Sequence, residues 1–111
     1  MNISIFYTHI FEIKFKRYKK KFLSIDADLK HFLETLPQIT GADMGNGIYK
    51  YRLSVKSKNK GKSGGFRIIS FEVLISENQK NVTLITIYDK SEQASISKKE
   101  INSILKEEGL L

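Results

Sequence analysis

Residues Phe66–Tyr88 read FRIISFEVLISENQKNVTLITIY. Two runs rich in β-branched and aromatic residues, Phe66–Ile75 and Val82–Tyr88, flank the polar link Ser76–Asn81, which is short enough for an antiparallel hairpin. Just upstream, Ile48–Val55 (IYKYRLSV) alternates bulky apolar with cationic and small polar side chains and predicts a third strand. Three such strands in succession build a sheet, and the segments outside them must cover it.

Working outward toward the N-terminus, Gly41, Gly45 and Gly47 mark a loop before the first of these strands. Before that loop, Leu29, Phe32, Leu33 and Leu36 fit the buried stripe of a helix starting at Ser24, with Asp26 and Asp28 near its positive end and Pro37 stopping it. Earlier still, Phe11, Phe15, Tyr18 and Phe22 recur at helical spacing after Thr8 as N-cap, while Glu12, Lys16, Lys19 and Lys20 fall on the other side. Phe11, Ile13 and Phe15 also alternate as in a strand. The aromatic stripe reads as core. At the start, Ile3, Ile5 and Tyr7 alternate with Asn2, Ser4 and Phe6, a short strand apolar on both sides. Toward the C-terminus, Ser97 and Glu100 have capping-box spacing, followed by Ile101, Ile104 and Leu105 and a stop at Gly109. The order is β-α-α-β-β-β-α, and residues 1–111 read as one α+β domain in which two N-terminal helices pack on a mainly antiparallel, four-stranded sheet.

The 111 residues include one proline and no spacer-like stretch, in keeping with a single core. There is no cysteine for a disulfide, thiol nucleophile or thiolate metal site, and His9 and His31 are too few for a histidine cage. Both histidines read as structural or solvent-facing, and neither a metal nor another cofactor is expected. The apolar runs fall far short of the roughly 20 residues that span a bilayer, and Met1–Tyr7 is too short for a signal-peptide core, so the expected compartment is the cytoplasm, with no membrane partner. Lys and Arg number 19 against 12 Asp and Glu, a formal net charge of +7. That excess favours a polyanion, although it also serves solubility or an acidic protein segment.

The charge is concentrated. Alternation sends Tyr49, Tyr51, Leu53 and Val55 to one side of their strand and Lys50, Arg52, Ser54 and Lys56 to the other, so a core face and a cationic face share one element. A solvated face of an edge strand gives the same pattern. The next stretch, KSKNKGKSGG, places Lys56, Lys58, Lys60 and Lys62 beside glycines whose backbone N–H groups can face an anion, which suits an RNA backbone. Its Gly61-Lys62-Ser63 imitates the end of a nucleotide-binding P-loop, but that motif needs glycine at position 56, where lysine stands, and a helix afterwards, where a strand is predicted. Arg67 follows among Phe66, Ile68 and Ile69; an arginine in apolar surroundings needs either one of the protein's own carboxylates or a bound anion such as phosphate. Tyr88 and Lys90 close the last strand. Tyr88 can stack on a base, donate its hydroxyl, or simply pack.

Tyr49-Lys50-Tyr51-Arg52-Leu53, then Gly61-Lys62-Ser63-Gly64-Gly65-Phe66-Arg67-Ile68-Ile69, then Leu84-Ile85-Thr86-Ile87-Tyr88-Asp89-Lys90, in this order, resemble the RelE/ParE superfamily of type II toxins, and the HigB-type RelE members most. The resemblance extends over nearly the whole chain. It implies a small endoribonuclease, often acting on messenger RNA in the ribosome, neutralised by a cognate antitoxin. Lys50 and Arg52 match the family's basic pair, Arg67 its phosphate-binding arginine, and Lys90 lies near a further basic position. RelE also has a tyrosine several residues later, where this sequence has Ile96 or its neighbours, and Tyr88 is the candidate substitute.

Metal-free RNA cleavage needs a base for the ribose 2′-hydroxyl, positive charge for the phosphorane and an acid for the leaving 5′-oxygen. The implied assignment makes Lys50 the base or electrostatic activator, Arg52 and Arg67 the phosphate clamp, and Lys90 or Tyr88 the aid to the leaving group. A lysine ordinarily titrates near 10.4, so Arg52, Lys62 and Arg67 would have to lower Lys50. Two rivals share the same residues: a non-enzymatic, gyrase-inhibiting toxin of the ParE kind, and a plain nucleic-acid-binding module.

Overall fold

Apolar side chains at successive positions, such as Ile68 and Ile69 or Leu84 and Ile85, face opposite sides of a sheet and need cover on both, and this chain supplies helices to both. A computed structural model describes residues 1–58 and 65–111. Its elements are β1 (Asn2–Tyr7), α1 (His9–Lys21), α2 (Ile25–Thr35), a 3-10 turn (Leu36–Gln38), β2 (Ala42–Gly45), β3 (Ile48–Leu53), β4 (Phe66–Ser76), β5 (Gln79–Asp89) and α3 (Lys98–Glu107). The strands form one sheet in the order β1-β5-β4-β3-β2. Neighbours from β5 to β2 are antiparallel, while β1 lies parallel to β5.

The α+β class and the packing of α1 and α2 on the sheet agree with expectation, but the sheet has five strands and is mixed. The added strand, β2, lies where the glycines predicted a loop. Gly45, Asn46 and Gly47 all have positive φ (89°, 54° and 79°), so they form the tight turn of a hairpin between β2 and β3. Gly41 has a different reason to be glycine: a Cβ there would lie 2.8 Å from the Tyr51 ring. The β4–β5 hairpin is also longer than its polarity suggests, with only Glu77 and Asn78 in its turn. Its strands are out of step at Ile69/Ser70, which leaves Ile85 as the extra residue of a bulge.

One apolar layer lies between the sheet and α1/α2. Phe11, Tyr18, Ile25, Leu29 and Phe32 meet Tyr51, Leu53, Phe66, Ile68, Leu84 and Ile87 there. Phe66 sits edge-on to Tyr18 and Phe22, with centroids 4.7 and 5.2 Å away, contacts worth about 0.5–1.5 kcal/mol each beyond area burial. A second layer lies on the opposite face, where α3 brings Ile101, Ile104 and Leu105 together with Ile48, Ile69, Ile85 and Tyr88.

Local signals account for the helix starts. Thr8 caps α1 by accepting from the Phe11 N–H at 3.0 Å, and its hydroxyl donates to the Ile85 carbonyl, tying the helix to β5. Ser97 caps α3 through the Glu100 N–H at 3.1 Å. Ser24 differs from expectation. Its hydroxyl donates to Asp28 at 2.6 Å instead of capping α2, and the same carboxylate accepts from the Lys56 N–H at 3.1 Å. Asp28 therefore pins the segment after β3 to α2.

Candidate functional site

β3 places its side chains as its alternation requires. Tyr51 and Leu53 enter the layer beneath α1 and α2, so Lys50 and Arg52 project from the other face, Lys50 half-buried and Arg52 exposed. Register then sets their neighbours. Lys50 lies opposite Ile69, and Ile69 opposite Thr86; one row along, Arg52 lies opposite Arg67, and Arg67 opposite Tyr88. Directly opposed residues share a face with Cα atoms about 4.5–5.5 Å apart, and like charges in that position repel. Two arginines face to face beside a lysine thus make a concentrated cationic field, which an anion relieves.

Arg67 is buried at 5% exposure, and one guanidinium nitrogen donates to the Phe66 carbonyl at 3.2 Å. Lys90 is exposed just past the end of β5, and its N–H donates to the Gly65 carbonyl at 3.0 Å. That bond brings Lys90 beside the start of β4, two residues from Arg67 along the chain.

Tyr88 differs from a strand-end aromatic open to a base. β5 continues through Asp89, and α3 with Ile96 covers the ring, leaving it 1% exposed. Burial raises its hydroxyl pKa above the ordinary tyrosine value, with the Arg67 charge pulling the other way. Tyr88 thus stands beside Arg67 on the same sheet face, with its ring under α3.

The four lysines expected on one RNA-binding loop separate. Lys60 and Lys62 lie outside the described residues. Lys56 is exposed. Lys58 is half-buried: its ammonium pairs with Asp89, the two side chains are 9% and 3% exposed, and it lies over the Phe22 and Phe66 rings at 5.6 and 5.3 Å. Burial opposes the charge on Asp89, but hydrogen bonds from Lys58 and from the Ser91 N–H and hydroxyl outweigh it, and the carboxyl titrates below its usual value. Beside this pair the Tyr18 hydroxyl accepts from the Asp89 N–H at 3.2 Å and donates to Glu92 at 2.8 Å. The end of β5 is thereby fixed to α1, and with it the backbone that presents Lys90.

A family model described as the RelE toxin of the RelE/RelB toxin-antitoxin system matches residues 5–109. The chain belongs to the RelE toxin family. That membership carries the toxin role and implies a cognate antitoxin as partner. No curated protein matches the chain. Among the described residues of this RelE-family toxin no helix is long and apolar enough to cross a membrane, and no three His, Asp or Glu side chains group as metal ligands. The structure also brings forward a residue that spacing alone had left aside: His31, on α2, borders a cleft that reaches Arg52. Only the tertiary pairing of α2 with the end of β3 makes that visible.

Proposed function

We propose that this RelE-family toxin is a metal-independent endoribonuclease of the HigB type that cleaves messenger RNA on the ribosome. The observation that carries the reading is the cross-strand placement of Arg52 opposite Arg67, with Lys50 on the same sheet face. Lys50 is the activator of the 2′-hydroxyl, Arg52 and Arg67 hold the phosphate and its developing charge, and Lys90 assists the departing 5′-oxygen. Tyr88, whose ring α3 covers, is given no part in the chemistry. The 2′-oxygen attacks the adjacent phosphorus as its proton passes to Lys50 acting as base, the bond to the 5′-oxygen breaks, and that oxygen takes a proton from the Lys90 ammonium. The products are a 2′,3′-cyclic phosphate and a 5′-hydroxyl.

The deciding experiment is controlled bacterial expression of the native chain, Arg52→Ala and Arg67→Lys, with messenger 5′ ends mapped in each. In-frame cuts bearing 5′-hydroxyls, reduced at least a hundredfold in both variants, are the expected result, since removing one donor from an oxyanion site costs about 10²–10³ in rate. Growth arrest with intact messages, or 5′-phosphate ends, overturns the mechanism. The same cationic face is the proposed seat of an acidic or amphipathic antitoxin segment. Protection of the Lys50–Arg67 face from chemical modification by the cognate antitoxin is the expected result, and unchanged reactivity counts against it.

A further inference from the structure

β2 pairs with β3 only as far as Lys50, so the outer edge of β3 beyond that point has no strand beside it among the described residues. α2 runs along this open edge. Between them lies a cleft of about 530 Å³, bordered by His31 and Asp28 from α2 and by Arg52 and Lys56 from the strand and its continuation, with Phe32 in its wall. That volume falls within the roughly 300–1,000 Å³ of pockets that take small ligands. Phe32 is buried and held edge-on to Tyr51 at 5.3 Å, which makes a firm apolar surface. Asp28, the carboxylate that the described residues place on the rim, already accepts from Ser24 and from the Lys56 N–H. What remains open is an exposed imidazole and two cations around an apolar wall, and one of those cations, Arg52, belongs also to the row that faces Arg67.

We infer that this cleft is a subsite for a single-stranded RNA nucleotide next to the scissile phosphate. The base lies against the exposed His31 imidazole beside the apolar wall, and its phosphate lies between Arg52 and Lys56. The assignment rests on the ribonuclease reading. Its chemistry is that of single-stranded RNA recognition generally, in which an unstacked base finds an aromatic face while cations follow the backbone. An acidic peptide would use the cations alone and leave the imidazole and apolar wall without a function.

The test uses the full chain and fluorescent RNA hexamers fully methylated at the 2′-oxygen, which removes the nucleophile and prevents cleavage. His31 is exposed, so His31→Ala leaves the core intact. That variant is expected to bind about tenfold more weakly with an unchanged salt slope, as loss of one stacked base predicts. Lys56→Ala is expected to weaken binding with a shallower salt slope. An abasic residue at one hexamer position should cost the native chain about the same tenfold and cost His31→Ala nothing more. Equal binding of all hexamers by native and His31→Ala chains overturns the subsite, as does an abasic penalty that is identical in both at every position. Protection of His31 from diethyl pyrocarbonate by poly-glutamate but not by the hexamers overturns it in favour of a peptide. Unchanged hexamer binding alongside cleaved cellular messages removes the subsite alone, whereas intact messages remove the nuclease reading and the assignment with it.

Discussion

Asp89 shows how much a single side chain can depend on its partner. Its carboxylate sits in an apolar setting that burial alone would make costly, and Lys58 together with Ser91 keeps it charged. Removing one member of such a buried pair typically costs about 3 kcal/mol, so Asp89→Asn should lower unfolding stability by that amount at pH 7. The folded-state pKa lies below the unfolded value of about 3.9, hence the stabilisation is complete above that value and fades as pH falls through the folded one. Urea titrations at pH 7 and pH 3 should therefore show a wide gap between native and variant chains that narrows in acid; a gap independent of pH would mean the charge is not what stabilises. Lys58 also marks where residue-level reading of the sequence stops. Lysines 56 and 58 look alike in a basic, glycine-containing run, yet one is exposed and the other is half-buried and paired with a carboxylate 31 residues away. The Lys50/Arg52 side of β3 was readable because alternation is local; the burial of Tyr88 and the opening beside His31 were not, because both depend on elements distant in sequence.

Among the elements, α3 covers Ile69, Ile85 and Tyr88, the last of which lies opposite Arg67 in the register. Ser97 holds its first turn. Ser97→Ala should cost α3 about 1 kcal/mol, visible as roughly fivefold faster amide exchange through the helix with β4 and β5 unchanged. Equal slowing or speeding across all three elements would show that α3 does not open independently. The helices were legible because stripes and caps are written within a dozen residues. β2 was not: with four residues it is too short to establish an alternation, and its glycines read as punctuation when they serve as the turn of a hairpin. The polar start of β5, Gln79–Asn81, was read as link for a related reason, since Lys80 and Asn81 join the ladder without entering the deep core.

At the scale of the molecule, cationic side chains stand on both faces of one sheet. Lys50 and Arg52 lie on one side, and α1 with Lys14, Lys16, Arg17, Lys19, Lys20 and Lys21 lies on the other. Counterion release separates their contributions, because each phosphate contact on a single strand adds about 0.7 to the dependence of log affinity on log salt. Arg52→Ala should reduce that slope by about this amount, whereas Lys16→Ala should leave it unchanged. Hexamer titrations from low to physiological salt measure both, and equal changes would mean that RNA does not distinguish the faces. The pairing of β1 with β5 bears on when such a surface can exist. Thr8, at the end of β1, bonds to Ile85 across 77 residues. During synthesis the first strand must wait for the fifth to emerge, at roughly 5–20 residues per second, before it can be seated. α3 follows β5 in the chain, so the layer it forms with Ile69, Ile85 and Tyr88 is the last to be covered, and an unfinished copy leaves that layer open to water.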